Sequence, residues 1–194
     1  MMRINVWRVI AFFLVIALSV GFGFAYDATL TAIERHEHPK PPELTQAVQA
    51  YSSGYGVPDA IVWATLCVGS GFASNAVSED GAIGLMQLTP EQFFYVRKEL
   101  IGKETTDAGL LYDPETNLQC GVAWLSHLYE RYGVWELTLA AYRVGPQAVD
   151  AWLADPQYVD EQGVLIKIPD AKTAAYVKKV TTAAELYRKL YYET

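Results

Sequence analysis

Hydrophobic and polar positions alternate along this chain in two different ways. Residues 9 to 26 carry no charge and consist mainly of Ala, Phe, Leu, Val, Ile and Gly. From Leu44 onward the apolar positions recur at helical spacing, interrupted by Gly, Pro and Asp at intervals that suit short turns. Ala47, Val48 and Tyr51 predict a first amphipathic helix stopping near Gly54 and Gly56. Pro58-Asp59 opens a second, whose Ile61, Val62, Trp63, Ala64, Leu66 and Val68 leave Thr65 as the one clearly polar member, so it belongs to the core. Gly69, Ser70 and Gly71 end it. Asn75 to Leu88, with Gly81 and Gly84 among small apolar residues, reads as a loop or small hairpin.

Further helix starts are written in capping residues. Thr89-Pro90-Glu91-Gln92 combines a Thr cap, Pro in the first turn and Gln at the capping-box position. Asp113-Pro114-Glu115 begins a helix through Leu118, Val122, Trp124, Leu125 and Leu128 to a stop at Gly133. Trp135 to Tyr142 predicts a short apolar helix broken at Gly145-Pro146, with another from Gln147 to Leu153. A polar loop then runs from Ala154 to Ile168, and Asp170 caps a last helix carrying Ala174, Tyr176, Val177, Val180 and Leu186. The fold class expected is all-α, or α with a minor β element, in one domain spanning residues 44–194.

The uncharged run is near the lower length for a helix to cross about 30 Å of hydrocarbon. Arg3 and Arg8 precede it and Asp27 follows, which puts residues 1–8 in the cytoplasm and the rest outside. Residues 9–26 therefore read as a retained membrane anchor; a signal peptide cleaved near Gly23 and Ala25 is the alternative, and it exports the remainder equally. Residues 27–43, with Pro39, Pro41 and Pro42 among charges, read as an extended, semi-rigid linker. His36 and His38 within it have no third ligand nearby and read as solvated.

With 15 basic and 22 acidic residues in 194, the net charge of -7 argues against nucleic acid as a partner. Two cysteines and three histidines make neither a disulfide scaffold nor a structural zinc site, and no glycine-rich phosphate loop or metal spacing is present, so no cofactor is expected.

The run SGFASNAVSEDGAIGLMQLTP, Ser70 to Pro90, resembles the soluble lytic transglycosylase (SLT) family, which has a goose-type lysozyme-like fold. Three later segments agree in order and spacing: Asp113-Pro114-Glu115-Thr116-Asn117-Leu118 with Gly121 and Leu125; Leu139-Ala140-Ala141-Tyr142-Arg143-Val144-Gly145-Pro146; and Tyr176-Val177 with Lys179-Val180. The resemblance spans about Tyr51 to Tyr187. It implies action on peptidoglycan glycan strands, where one glutamate protonates the glycosidic oxygen and then takes a proton from the 6-hydroxyl of N-acetylmuramic acid, leaving a 1,6-anhydro sugar. That glutamate precedes a serine at the end of the buried helix, where burial keeps it protonated.

Here Gly69 stands at that position, and glycine has no proton to give. Arg143 stands where the family has the asparagine of Ala-Tyr-Asn-Ala-Gly, and a guanidinium accepts no hydrogen bond. The expected reading is a membrane-anchored, lytic-transglycosylase-like protein that binds cell-wall glycan through Ser70, Ser78, Met86, Gln87, Tyr142, Arg143 and Tyr176 without cleaving it. Two alternatives stand beside it. One is an active enzyme with a relocated acid such as Glu79, although a solvated loop tip is a poor place to store a proton. The other is an envelope interaction module that engages a protein partner through Arg143 and the 155–163 loop and does not touch glycan. A Ser70–His127 nucleophile pair is disfavoured. Cys67 and Cys120, on predicted core helices, read as buried thiols, with a disulfide as the alternative. Trp124, Trp135 and Trp152 are candidates for packing first and sugar stacking second.

Overall fold

A computed structural model describes residues 19, 22, 25, 26 and 28–193, in two compact units, Met1–Pro39 and Lys40–Thr194. Apart from four residues, the anchor expected over 9–26 lies outside the described residues, among which no helix is long and apolar enough to cross a membrane. In the first unit, residues 28–37 form a helix, α1, where an extended linker was expected. The reason is local: no Pro or Gly falls between Ala28 and Glu37, and Ala, Leu, Glu and Arg favour helix. The prolines confine the non-helical backbone to 38–41.

The second unit consists of α2 (Pro42–Tyr55), α3 (Asp59–Ser70), α4 (Pro90–Tyr95) continued by a π turn (Val96–Leu100), a 3-10 turn (Ala108–Tyr112), α5 (Pro114–Tyr132), α6 (Trp135–Val144), α7 (Pro146–Ala154) and α8 (Ala171–Tyr191). Among the described residues, β structure is limited to isolated bridges, Val77 with Ile83, Ile83 with Leu88, and Val159 with Leu165. The minor β element is thus reduced to two tight loops.

Caps set most of these boundaries. Thr89 and Gln92 form the reciprocal capping box, and the carboxylates of Asp113 and Asp170 accept from the backbone N–H groups of Thr116 and Thr173. Those hydrogen bonds hold both carboxyls below the usual carboxylate range. Gly56, Gly71 and Gly133 end α2, α3 and α5 in left-handed conformations.

Helix α3 is central. Ile61, Val62, Trp63, Ala64, Thr65 and Leu66 are all buried, and the Thr65 hydroxyl donates to the Ile61 carbonyl at 2.8 Å, which removes the cost of its burial. Helix α8 packs along α3 and against α6 and buries Thr173, Val177, Val180, Ala184 and Tyr187, with Tyr187 stacked on Trp63 of α3 at 6.4 Å. Helix α2 also packs against α3, and α6 joins α8 to α5. At the domain's start the Lys40 ammonium sits over the rings of Trp63, Tyr191 and Tyr192, 4.5 Å from the last.

Gly121 shows how tightly α5 meets the loop before α4, because a Cβ there would overlap the Met86 side chain. Gly54, in the last turn of α2, has no atom within 4 Å of the equivalent position. Gly121→Ala is therefore expected to destabilise the domain by about 1–3 kcal/mol, whereas Gly54→Ala stabilises it by about 0.5–1 kcal/mol. Urea unfolding followed by circular dichroism separates the two signs.

Candidate active site

The last turn of α3, the loop leading to α4, the end of α6 and the first turns of α8 meet around a pocket of about 140 Å3. Six residues singled out from the sequence line it together: Gly69, Ser78, Gln87, Tyr142, Arg143 and Tyr176. Asp80, Thr89 and Gln92 complete its polar wall.

The loop owes its shape to a buried side chain. Asn117, on α5, accepts from the Met86 N–H at 2.7 Å and donates to the Ile83 and Leu111 carbonyls at 2.9 and 2.8 Å. Gly84 (φ 83°) passes so close to this amide that a Cβ there would collide with Asn117 and the Leu111 carbonyl. Gln87 follows with φ 53°, an unusual value for a residue with a side chain, and its amide donates to the Gly84 and Ala76 carbonyls at 2.9 and 3.2 Å. The strain orients Gln87 toward α3: a Cβ placed on Gly69 would lie 3.5 Å from Gln87 Cγ, an ordinary packing distance. Gly69 itself has no left-handed backbone. Neither backbone nor packing requires glycine there.

Tyr142 forms the opposite wall. Its hydroxyl donates to the Met86 carbonyl at 2.7 Å, and its own carbonyl accepts from the Gln92 side chain at 3.1 Å. Burial pushes its hydroxyl well above the ordinary tyrosine range, so it remains a proton-bearing donor. Burial likewise raises the Tyr176 hydroxyl, against a smaller opposing effect of Arg143. The Arg143 guanidinium lies over the Tyr176 ring at 5.5 Å and pairs with Asp80 at 3.5 Å across the pocket.

Two expected lining residues stand elsewhere. Met86 is 0% exposed and contributes to the site only through its backbone. The Ser70 hydroxyl donates to the Leu85 carbonyl at 2.7 Å and accepts from the Phe72 N–H at 3.1 Å, tying the end of α3 to the loop. Both side chains serve the framework because their helix and loop turn them inward. Glu79 is exposed and lines neither this pocket nor a wider neighbour of about 410 Å3. Among the described residues, the single acid lining the smaller pocket is Asp80, whose side chain is 79% exposed. His127 and Trp124 line the wider pocket, apart from Ser70. Cys67 and Cys120 form no disulfide with each other.

Sequence reasoning missed Asn117 and Gln92 as site residues, whereas Asp80, weighed with Glu79 as a relocated acid, does line the smaller pocket. Asn117 lay within a quoted motif, and its burial directly after a capped first turn was the available signal. The wider pocket had no local signal, being assembled from α4, α5 and the α6–α7 turn.

The transglycosylase SLT domain family matches residues 46–164. The chain is 31% identical to the soluble lytic murein transglycosylase of Escherichia coli K12 over 76% of its own length and 23% of that protein. It is 30% identical to membrane-bound lytic murein transglycosylase C of Edwardsiella ictaluri, over 64% of this chain and 35% of the relative. An inactive glutamate-to-glutamine mutant of the lytic transglycosylase Slt from Pseudomonas aeruginosa superposes with a TM-score of 0.66 at 28% identity, covering 78% of this chain and 24% of that one. The chain thus spans between about a quarter and a third of the length of these proteins.

If Asn117 holds the site loop, Asn117→Ala should cost about 2–4 kcal/mol, since it strands one buried N–H and two carbonyls. Hydrogen exchange at the Met86 amide should accelerate with it, while amides of α8 keep the protection that global stability allows.

Proposed function

The chain belongs to the transglycosylase SLT domain family, and from that premise we propose that it is a membrane-anchored, peptidoglycan-binding member that does not cleave its glycan. The observation that carries this reading is Gly69. It lines the smaller pocket at the end of the buried helix, where the family resemblance puts the acid, and offers no ionisable group.

Cleaving a glycosidic bond demands that the leaving oxygen be protonated, and the donor must be a carboxyl kept from water. Asp80 is largely in water and engaged by Arg143, and Glu79 is exposed outside the pocket. A glutamate-to-glutamine change accompanies inactivity in the Pseudomonas aeruginosa protein; glycine removes the hydrogen-bonding group as well. What persists suits binding. Gln87, Tyr142, Ser78 and Tyr176 offer amide, hydroxyl and ring surfaces of the kind that hold a sugar, and the small pocket admits about one ring's substituents.

Exposure of the domain on the outer side follows from residues 9–26 acting as anchor with Arg3 and Arg8 inside. That the relatives include a membrane-bound transglycosylase supports an envelope location. The domain would thus hold a glycan strand, or a protein partner carried on it, close to the membrane.

The unmodified chain, incubated with purified peptidoglycan, should release no 1,6-anhydro-muropeptides on chromatographic analysis while still co-sedimenting with the polymer. Because a Cβ at Gly69 finds room beside Gln87, Gly69→Glu should fold and restore cleavage, with a gain of about 10²-fold or more. Arg143 lines the same pocket and would hold the new carboxylate ionised, so Gly69→Glu with Arg143→Asn should exceed the single variant. Anhydro-muropeptides from the unmodified chain that vanish on Glu79→Gln would instead establish a relocated acid.

A further inference from the structure

Among the described residues, Arg143 is the one cation lining the smaller pocket. Its guanidinium lies over the Tyr176 ring at 5.5 Å, a contact that limits the orientations of the fork before any ligand arrives. The side chain is 36% exposed, so the group is partly withdrawn from water yet open to the groove. A guanidinium carries five N–H donors and accepts nothing. The acceptor whose two oxygens match that fork is a carboxylate.

The chain itself supplies one carboxylate there and holds it loosely. Asp80 approaches Arg143 at 3.5 Å, longer than the ~2.7–2.9 Å of a well-made charged hydrogen bond, and its side chain is 79% exposed. An exposed pair of that length gains little and is readily exchanged for a better one. Asp170, whose carboxyl also feels Arg143, is committed to capping α8 through the Thr173 N–H. On the floor of the pocket Gly69 carries no acid that would repel an incoming anion. Asp80 therefore reads as a placeholder, holding the position that a ligand's carboxylate would take.

Size limits where that carboxylate can be carried. A cavity of about 140 Å3 admits the substituents of about one sugar ring, so the acid must hang from the ring itself by a short arm. The lactyl ether of N-acetylmuramic acid is such an arm. In an intact strand its carboxyl is an uncharged amide, joined to the peptide. Hydrolysis of that amide, in which water gives hydroxide to the acyl carbon and a proton to the departing amine, leaves a free carboxylate on the sugar. We propose that this groove selects glycan stripped of its peptides, with Arg143 binding the free lactyl carboxylate in exchange for Asp80. The assignment rests on the glycan-binding reading above. It adds the form of strand that is held and the class of reaction, amide hydrolysis at the lactyl carboxyl, that must supply it.

The test uses the full chain and three soluble ligands. They are chitotetraose, a tetrasaccharide alternating N-acetylglucosamine with N-acetylmuramic acid, and the same tetrasaccharide with its carboxyls converted to N-methylamides, which imitate the peptide link. Calorimetry gives the affinities, and circular dichroism establishes that each variant is folded. The unmodified chain should bind the acid about tenfold tighter than the methylamide, a preference that shrinks at high salt. Arg143→Gln should bring the ratio of the two affinities close to one. Arg143→Lys, which keeps the charge and loses the fork, should leave the ratio intermediate. Asp80→Asn removes the competing carboxylate and should raise the ratio about threefold. Equal binding of acid and methylamide by the unmodified chain overturns the proposal, as does a preference that survives Arg143→Gln or falls in Asp80→Asn. If chitotetraose and the methylamide bind as tightly as the acid, the glycan-binding reading stands and this assignment fails. If none of the three binds, the glycan-binding reading itself falls, and the assignment with it.

Discussion

A loop without a sheet must satisfy its backbone polar groups some other way, and here one buried amide does much of that work. Asn117 satisfies a donor on Met86 and acceptors on Ile83 and Leu111, three points that fix the path between the two bridges of the loop. With Met86 fixed, its carbonyl is available to the Tyr142 hydroxyl, and Tyr142 in turn receives Gln92 from the start of α4. Three segments far apart in sequence, 83–92, 111–117 and the end of α6, are thereby locked together. Partial satisfaction of such a network costs more than none, so its members are constrained together.

That framework nowhere involves Gly69. The loop, the tyrosine and the capped helix hold one another by bonds that remain whether or not a carboxyl projects from the end of α3. An acid stored in a confined pocket costs desolvation energy, which an active enzyme tolerates for its chemistry. Glycine near a helix end relieves that cost at a modest loss of helix propensity. The framework is therefore independent of the side chain at position 69.

The sequence made the framework's ends readable because caps are local. Thr89, Asp113, Asp170, Gly56, Gly71 and Gly133 each act within a few residues of themselves, and each stands where its pattern indicates. What failed to show was nonlocal or masked by composition. The proline cluster from Pro39 suggested an extended segment, yet its influence stops short of the ten residues before it. The π turn after α4 has no capping residue to announce it. Motif adjacency also left Met86 and Ser70 undistinguished from Gln87, because a contiguous run cannot indicate which side chains turn inward and which remain at the surface of the pocket.

Arg143 marks where these considerations converge. It borders both pockets, covers the Tyr176 ring and reaches Asp80 across the smaller one. A guanidinium beside a catalytic carboxyl would stabilise the ionised form and oppose proton donation, so an acid at position 69 and an arginine at 143 work against each other. With glycine at position 69 no such conflict arises, and the cation pairs instead with Asp80 where the two pockets meet. Gly69 and Arg143 are thus physically coupled: with no carboxyl at position 69, a guanidinium bordering both pockets opposes no proton donor there.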